Sequence, residues 1–242
     1  MKETIKQLME RKSVRVFTDR EITAEEKALI LDAAVQAPTA GNQQLYTILD
    51  ITDQAIKEKL VDSCDHQPFI AQAKMVLIFC ADCLKWYDAF RTGGCTPREP
   101  GVGDLMLAVS DATIAAQNAV VAAQSLGIGS CYIGDIMENY EEQKEILGLP
   151  RYVFPCAMLV FGYPTEQQQN RTKPLRSPQQ YIVHENGYHQ MNGEELQAML
   201  SVKSGQPDYH KWLEAFCNRK YNSDFSREMS RSVKKYLEEF TF

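Results

Sequence analysis

An α+β fold, with a mixed sheet covered by helices on both faces, is what the apolar pattern of this chain predicts. Three observations carry that expectation. Residues 75–81 read MVLIFCA, an unbroken apolar run of strand length, as a strand buried on both faces requires. Segments of helical period alternate with about four short strands through the first two-thirds, with helices rather than hairpin turns between the strands. Residues 105–127, LMLAVSDATIAAQNAVVAAQSLG, form an Ala-rich stretch that is apolar nearly all round, so neighbours must cover most of its surface.

The elements follow in order. A short amphipathic helix comes first, with Ile5, Leu8 and Met9 on one face. Thr23 and Glu26 then form a capping box, with Ile22 as its staple. The helix they start carries Leu29, Ile30, Ala33, Ala34 and Ala37 and stops at Pro38. Residues 47–51 read as a strand, and Asp53 caps a helix through Leu60 and Val61. After the 75–81 strand, residues 91–103 are rich in Gly and Pro and read as a loop or lid. Asp104 is the expected cap of the long helix, which Gly127 ends. Residues 130–133 form a short strand, 142–147 a helix closed by Gly148, and 153–161 a further strand with Pro155 near its start. Residues 166–180 are polar and read as an extended arm. Three helices follow, at about 193–202, 209–219 and 223–240. The expected organisation is a core over 1–165 and an arm with C-terminal helices over 166–242, all within one domain.

Composition narrows the function. The 242 residues carry a net charge of −6, with 24% charged and 44% hydrophobic residues. An acidic balance without basic blocks argues against a general nucleic-acid binder. No stretch offers the ~18 uninterrupted apolar residues of a membrane helix, and the N-terminus MKETIKQLMERKS lacks a signal core, so a soluble, cytoplasmic protein is expected. Seven scattered cysteines suggest free thiols in a reducing compartment. Cys80 and Cys83 make a C-x-x-C, but no second Cys or His pair stands at metal-finger spacing, and Cys80 reads as a buried strand residue.

Four strings carry the candidate chemistry. Residues 11–17, RKSVRVF, place Arg11, Lys12, Ser13 and Arg15 within five positions, a cradle suited to an anion because the arginine fork binds phosphate bidentately. Taken alone, such a string is as readily a solvated basic turn. Residues 37–46, APTAGNQQLY, put Thr39, Asn42 and Gln44 at a strand entry, neutral donors and acceptors suited to a heterocycle's edge or to an ordinary polar loop. Residues 127–135, GIGSCYIGD, bracket a strand with glycines, and Gly134 would let a backbone N–H approach a ligand, although helix-to-strand packing also uses such glycines. Residues 171–176, RTKPLR, add Lys173 and Arg176, a second place for a phosphate or a solvated cluster.

Together, in this order and spacing, the strings resemble the nitroreductase (flavin reductase) family. RKSVRVFTDR is similar to its N-terminal R-x-S-x-R-x-F pattern and APTAGNQQLY to its A-P-S/T-x-x-N-x-Q segment. His66 and Gln67 before FIAQAKMVLIFCAD, CYIGDI, PCAMLVFGYP and RTKPLR resemble the later family segments, so the likeness spans about residues 4–180. It implies a mostly antiparallel sheet, a three-layer fold and a homodimer with FMN at the interface. It also implies hydride transfer from NADPH or NADH to flavin N5, followed by reduction of a small-molecule electron acceptor such as a nitroaromatic, quinone or flavin, in ping-pong order. By the same likeness Arg11 lies near the phosphate and Arg15 near N1 and O2 of the ring, with Lys12 and Ser13 adding contacts. Thr39 and Gln67 meet the ring or ribityl chain, Ile133 and Gly134 lie against the ring, and Lys173 and Arg176 reach the phosphate. Asn42 and Gln44 are candidates for the partner subunit's contribution. FMN does the chemistry, so no catalytic side chain is required.

The chain departs from the family pattern in places. Leu175 separates Pro174 from Arg176, which makes Arg171 the substitute cation, and the acid Asp135 follows Gly134. Residues 219–233 do not form the usual nicotinamide-phosphate site, which leaves NADPH against NADH open. Relatives of the same fold include dehalogenases and flavin-fragmenting enzymes, with specificity in lid segments, here residues 86–103. A non-catalytic flavin-binding regulator is a further alternative. A Rossmann site is rejected, because no strand precedes Gly101 and Gly103 and the third glycine position is Met106.

Overall fold

The computed structural model describes residues 1–204 and 208–240. In chain order the elements are α1 (Glu3–Glu10), α2 (Ala24–Val35), β1 (Tyr46–Asp50), α3 (Gln54–Ser63), α4 (Phe69–Gln72), β2 (Met75–Asp82), α5 (Leu84–Thr92), α6 (Val102–Ser125), β3 (Gly129–Ile133), α7 (Tyr140–Leu147), β4 (Val153–Gly162), α8 (Glu166–Asn170), α9 (Gly193–Ser204), α10 (Tyr209–Lys220) and α11 (Asp224–Glu238). Contacts group these into two units. One comprises Met1–Arg171 and the chain from Glu228 onward, and the other is Thr172–Arg227, in which α9 packs against α10.

The first unit is an α+β sandwich. Its four strands lie in the order β1-β2-β4-β3, and every strand pair is antiparallel. Among the described residues the one parallel pairing is a single bridge between Ser13 and Ser130, so there the sheet is mixed through the N-terminal string. Alternation along the strands builds two cores. Met75, Leu77 and Phe79 of β2, with Ala157, Leu159 and Phe161 of β4, point to α2 and α6. Val76, Ile78 and Cys80, with Met158 and Val160, point to the α3, α4 and α7 side. All eight residues of β2 are buried, which explains why its sequence is unbroken rather than alternating. Cys80 is indeed a buried strand residue, and Cys83 is a buried free thiol pushed up to about 12 by that burial.

The long helix is the central one. Ala108, Ala112, Ala115, Ala116, Ala119 and Ala123 of α6 are fully buried, and their small side chains let the helix lie close to the sheet and α2. By length and composition alone α6 would suffice to cross a bilayer, yet its Ala face is the core of this sandwich. Its outer face is different. Val102, Met106, Leu107 and Ile114 are exposed, as are Leu29 and Val35 of α2.

Several local expectations are met and some are corrected. The Thr23–Glu26 capping box forms, with Thr23 N donating to Glu26 at 2.9 Å and Glu26 N to Thr23 Oγ1 at 3.2 Å. Asp53 accepts from Ala55 N at 2.7 Å and caps α3. Asp104, however, is not the cap of α6. Gly101 holds that position, and Asp104 sits one turn in, where it accepts from Gly101 N at 2.8 Å. The supposed loop and lid segment begins as helix α5, held by Trp86 donating to Gln43 O at 2.7 Å. The polar arm opens with helix α8. Pro155 stands opposite Cys80 at a bulge, which is how a residue without an N–H fits in an inner strand. Tyr236 of α11 and Phe240, just beyond it, are buried in their own chain against Phe154 and Tyr152. That aromatic cluster offers them more apolar surface than water would.

Two glycines set how the N-terminal string docks. A Cβ on Gly129 would lie 2.7 Å from Val14, and one on Gly162 would lie 2.6 Å from the Phe17 ring. Val14 and Phe17 therefore press directly onto the backbones of β3 and β4. Gly162→Ala should displace Phe17 and lower stability by about 1–3 kcal/mol, the usual cost of overpacking. Urea unfolding measures this, and an unchanged midpoint would mean that Phe17 is not seated there.

Candidate functional site

Extended pairing lays the basic string along β3. Val14 N donates to Ser130 O at 2.9 Å, and Thr18 N donates to Tyr163 O at 2.8 Å. The string is also tied to the start of the polar arm. Lys12 Nζ donates to Gln169 O at 2.6 Å and to Arg171 O, and the Arg171 guanidinium donates to Ser13 O. Arg15 N donates to Gln168 Oε1 at 3.4 Å. These bonds order the backbone between Arg11 and Arg15 while leaving the two guanidinium groups directed at rings. Arg11 lies 5.8 Å from the Tyr132 ring centre and Arg15 lies 5.9 Å from that of Phe69.

Arg11 is the electrostatic anomaly. Its Nε and Nη2 are closed off from solvent without a hydrogen-bond partner among the described residues. A buried cation with open donors is costly, and such groups ordinarily have a counter-charge. The neighbouring acids are suppressed. Burial pushes the Tyr132 hydroxyl up to about 12 and raises the Cys131 thiol, with the nearby arginines opposing the shift in both. The site is therefore cationic, and its geometry suits an anion such as a phosphate.

Gln67 and the β3 end belong to the same region. Asp65 and His66 both have positive φ, 57° and 50°, a tight turn that Gln67 closes by donating from Nε2 to Cys64 O at 3.0 Å. Phe69, under Arg15, packs with Ile133 in one core cluster. Ile133 is buried and Gly134 is exposed. A Cβ on Gly134 would meet only Met137, at 3.9 Å, so the chain's own packing does not demand a glycine there and the surface above it is open.

The second string is elsewhere. Thr39 Oγ1 donates to Asp111 of α6 and accepts from Gln44 N at 2.8 Å. Ala40 N and Leu45 N also donate to Asp111, at 2.9 and 3.2 Å. Gln44 donates to Val35 O at 3.2 Å, while Lys85 of α5 donates to Gln44 O at 3.3 Å. Asn42 is exposed, with a positive φ of 56°. Beside this string, Gln43, Leu45, Trp86, Tyr87, Phe90 and Arg98 help line a cavity of about 290 Å³. Asp111 is a residue that the apolar reading of α6 missed. Its signal was an acid in the middle of an otherwise apolar stretch of helix.

The strings lie at opposite corners of the sheet. Ser13 joins β3 at Ser130, whose ladder runs through Phe161 to Met75, whereas the second string enters β1 at Tyr46, opposite Ala81. At ~3.3 Å per residue and ~4.8 Å per strand, the two points are about 20 Å apart along the sheet and ~14 Å across it. Within one chain, Ser13 bridges to Ser130 of the strand that ends at Ile133, Arg15 lies over Phe69, which shares a core cluster with Ile133, and Arg11 lies over Tyr132, whereas Thr39, Asn42 and Gln44 stand at the far corner of the sheet. Lys173 and Arg176 belong to the second unit.

The basic string beside β3, with the open Gly134 turn after that strand, is a candidate anion site on an α+β sandwich. The chain belongs to the nitroreductase family, whose model matches residues 8–163. It is similar over 240 residues, at 32% identity, to an FMN reductase (NAD(P)H) of Bacillus subtilis strain 168, covering 98% of this chain and 92% of that one. It is 36% identical over 189 residues to an oxygen-insensitive NADPH nitroreductase of Salmonella typhimurium, covering 78% and 75%. Among solved structures, B. megaterium NfrA2 superimposes with a TM-score of 0.84 at 29% identity, covering 100% and 99% of the two chains.

Removing Asp111 tests the anchoring of the second string. Asp111→Ala leaves two backbone N–H groups and a hydroxyl without an acceptor in a buried place, and should cost at least ~2 kcal/mol in urea unfolding. Wild-type stability in that variant would contradict the anchor.

Proposed function

We propose that this chain is an FMN-dependent oxidoreductase that passes hydride from NAD(P)H to a small-molecule electron acceptor, a nitroaromatic, quinone or flavin, as a cytoplasmic homodimer. The observation that carries the reading is half-buried Arg11, whose Nε and Nη2 are closed off from solvent without a hydrogen-bond partner among the described residues. A flavin phosphate is the anion that the family membership supplies for it. When bound, FMN supplies the two-electron hydride chemistry.

The chain's own residues then have distinct tasks. Arg11 and Lys12 neutralise the phosphate, with Ser13 beside them and Lys173 and Arg176 assigned to the same end by resemblance. Arg171 holds the Ser13 backbone in place. Arg15 provides positive charge at the ring's pyrimidine edge, where reduction places negative charge. Gln67 and Thr39 are assigned to the ring or ribityl chain, and Ile133 and Gly134 form the surface against which the ring lies.

The sheet supports the dimeric reading. The first string and the second stand at opposite corners of one chain, so Asn42, Gln44 and Thr39 serve a flavin only if it is held by the other subunit. The exposed apolar residues Met106, Leu107 and Ile114 on α6, with Leu29 and Val35 on α2, supply a surface for that partner. The aromatic cavity beside Gln43 travels with the second string, so it opens toward the partner's flavin and suits a flat acceptor.

Arg11→Ala tests the cradle. Loss of charge-assisted bonds to a phosphate should weaken FMN binding by roughly 30-fold or more, read as quenching of FMN fluorescence on titration. Unaltered FMN affinity would remove Arg11 from the site. Mixing Arg11→Ala chains with chains in which Asn42 and Gln44 are both replaced by Ala should restore one intact site per heterodimer and recover part of the activity. Absence of recovery in verified heterodimers would contradict the shared site.

A further inference from the structure

The turn that follows Gly134 carries a buried acid that flavin binding does not use. Glu138 is 6% exposed, and its Oε1 is closed off from solvent without a hydrogen-bond partner among the described residues. It follows a single tight turn, Asp135–Met137. Met137 N donates to Gly134 O at 3.0 Å, and Glu138 N donates to Asp135 O at 3.0 Å. Gly134 and Glu138 are therefore the two ends of one hydrogen-bonded turn, and a displacement of one is passed to the other.

The charges acting on Glu138 are all negative. Asp135 lies in the same turn, Asp65 in the bend between α3 and α4, and Glu228 on α11. The cation nearest Glu228 is already engaged. Arg231 forks onto Glu141 at 2.9 and 2.7 Å and onto Glu228 at 2.9 Å. Glu228 also accepts from Ser232 at 2.8 Å and from Asn139 N at 3.3 Å. His66, next to Asp65, faces Asp62 at 3.5 Å. On α7, the buried Gln143 donates to Ser63. Burial first, and then the three like charges, push the Glu138 carboxyl up to about 7.

We propose that Glu138 is a positioning residue that keeps the Gly134 turn in its cofactor-facing conformation while its carboxyl carries a proton, and releases the turn when that proton leaves. The proposal rests on the flavin reading only for the identity of what the turn faces. With the proton on, a neutral carboxyl is tolerated among Asp135, Asp65 and Glu228. With the proton off, a buried charge faces three others without a counter-ion, and outward movement of the turn is the nearest relief. A buried acid raised above its free value makes the folded state hold more protons between about 4.5 and about 7. Its contribution to stability is complete below that window, falls as pH rises through it, and levels off above. The change at Gly134 itself follows the folded-state proton and so centres near pH 7.

The test uses flavin-free protein for thermal melting and the same protein for FMN fluorescence titration, both from pH 5 to 8.5. Wild type is compared with Glu138→Gln and Asp65→Asn. At pH 8 Glu138→Gln should melt roughly 2–4 °C above wild type, and at pH 5 the two should coincide. FMN affinity of wild type should fall several-fold with a midpoint near pH 7, while Glu138→Gln keeps the low-pH affinity across the range. Asp65→Asn removes one like charge at an exposed position and should move the midpoint to lower pH. A Glu138→Gln variant that retains the wild-type transition overturns the proposal. If that variant does not fold, an unmoved midpoint in Asp65→Asn overturns it instead. A Glu138-dependent melting profile in a protein that takes up no FMN would sink the flavin reading while supporting the proton on Glu138.

Discussion

The β2–β4 ladder is the constraint on which the first unit depends. Both strands are buried on both faces, so each needs a helical layer above and below, and no hydrogen-bonding group can be left open between them. That requirement fixes α6 and α2 on one side and α3, α4 and α7 on the other. It also pushes β1 and β3 to the edges. An edge strand has one open side, and the N-terminal string pairs with β3 at Ser130, beside which the basic residues collect. The site is thus a consequence of how the sheet is closed rather than a separate addition to it.

Functional residues of opposite edges cannot meet around one ligand in a single chain. Apolar residues stay uncovered on the outer faces of α6 and α2. In one chain that surface is a liability, and in the proposed dimer it would be covered by the partner. Asp111 has a matching logic. It interrupts the apolar helix, but it collects the donors of the string that would reach across. A buried acid satisfied by three donors gives that loop a fixed shape without help from the partner.

Much of this was legible in the sequence. The unbroken run of β2, the Thr23 capping box and the Ala-rich helix each follow from local rules, because burial on both faces, cap chemistry and close helix approach leave distinct residue patterns. The cradle was legible as Arg11, Lys12, Ser13 and Arg15, yet its cause was not, since pairing with Ser130 is a long-range event. Helix α5 was hidden by the glycines and prolines that follow it. Asp104 was misplaced as a cap because the helix starts three residues earlier, at Gly101, which has no capping side chain and whose N–H donates back to Asp104. The burial of Tyr236 and Phe240 was not legible because their partners Phe154 and Tyr152 lie far away in sequence. Glu138 left no sequence signal at all, since it and its three acidic neighbours come from three separate segments.

The central claim is that the cradle on β3 holds a flavin that a reduced nicotinamide can reduce. The direct measurement is the visible spectrum of purified protein supplied with FMN under anaerobic conditions, before and after NADPH and, separately, NADH. The account predicts flavin bands that remain with the protein through gel filtration and bleach on addition of at least one donor. A colourless protein that also fails to take up added FMN would contradict it, as would a yellow protein that neither donor bleaches.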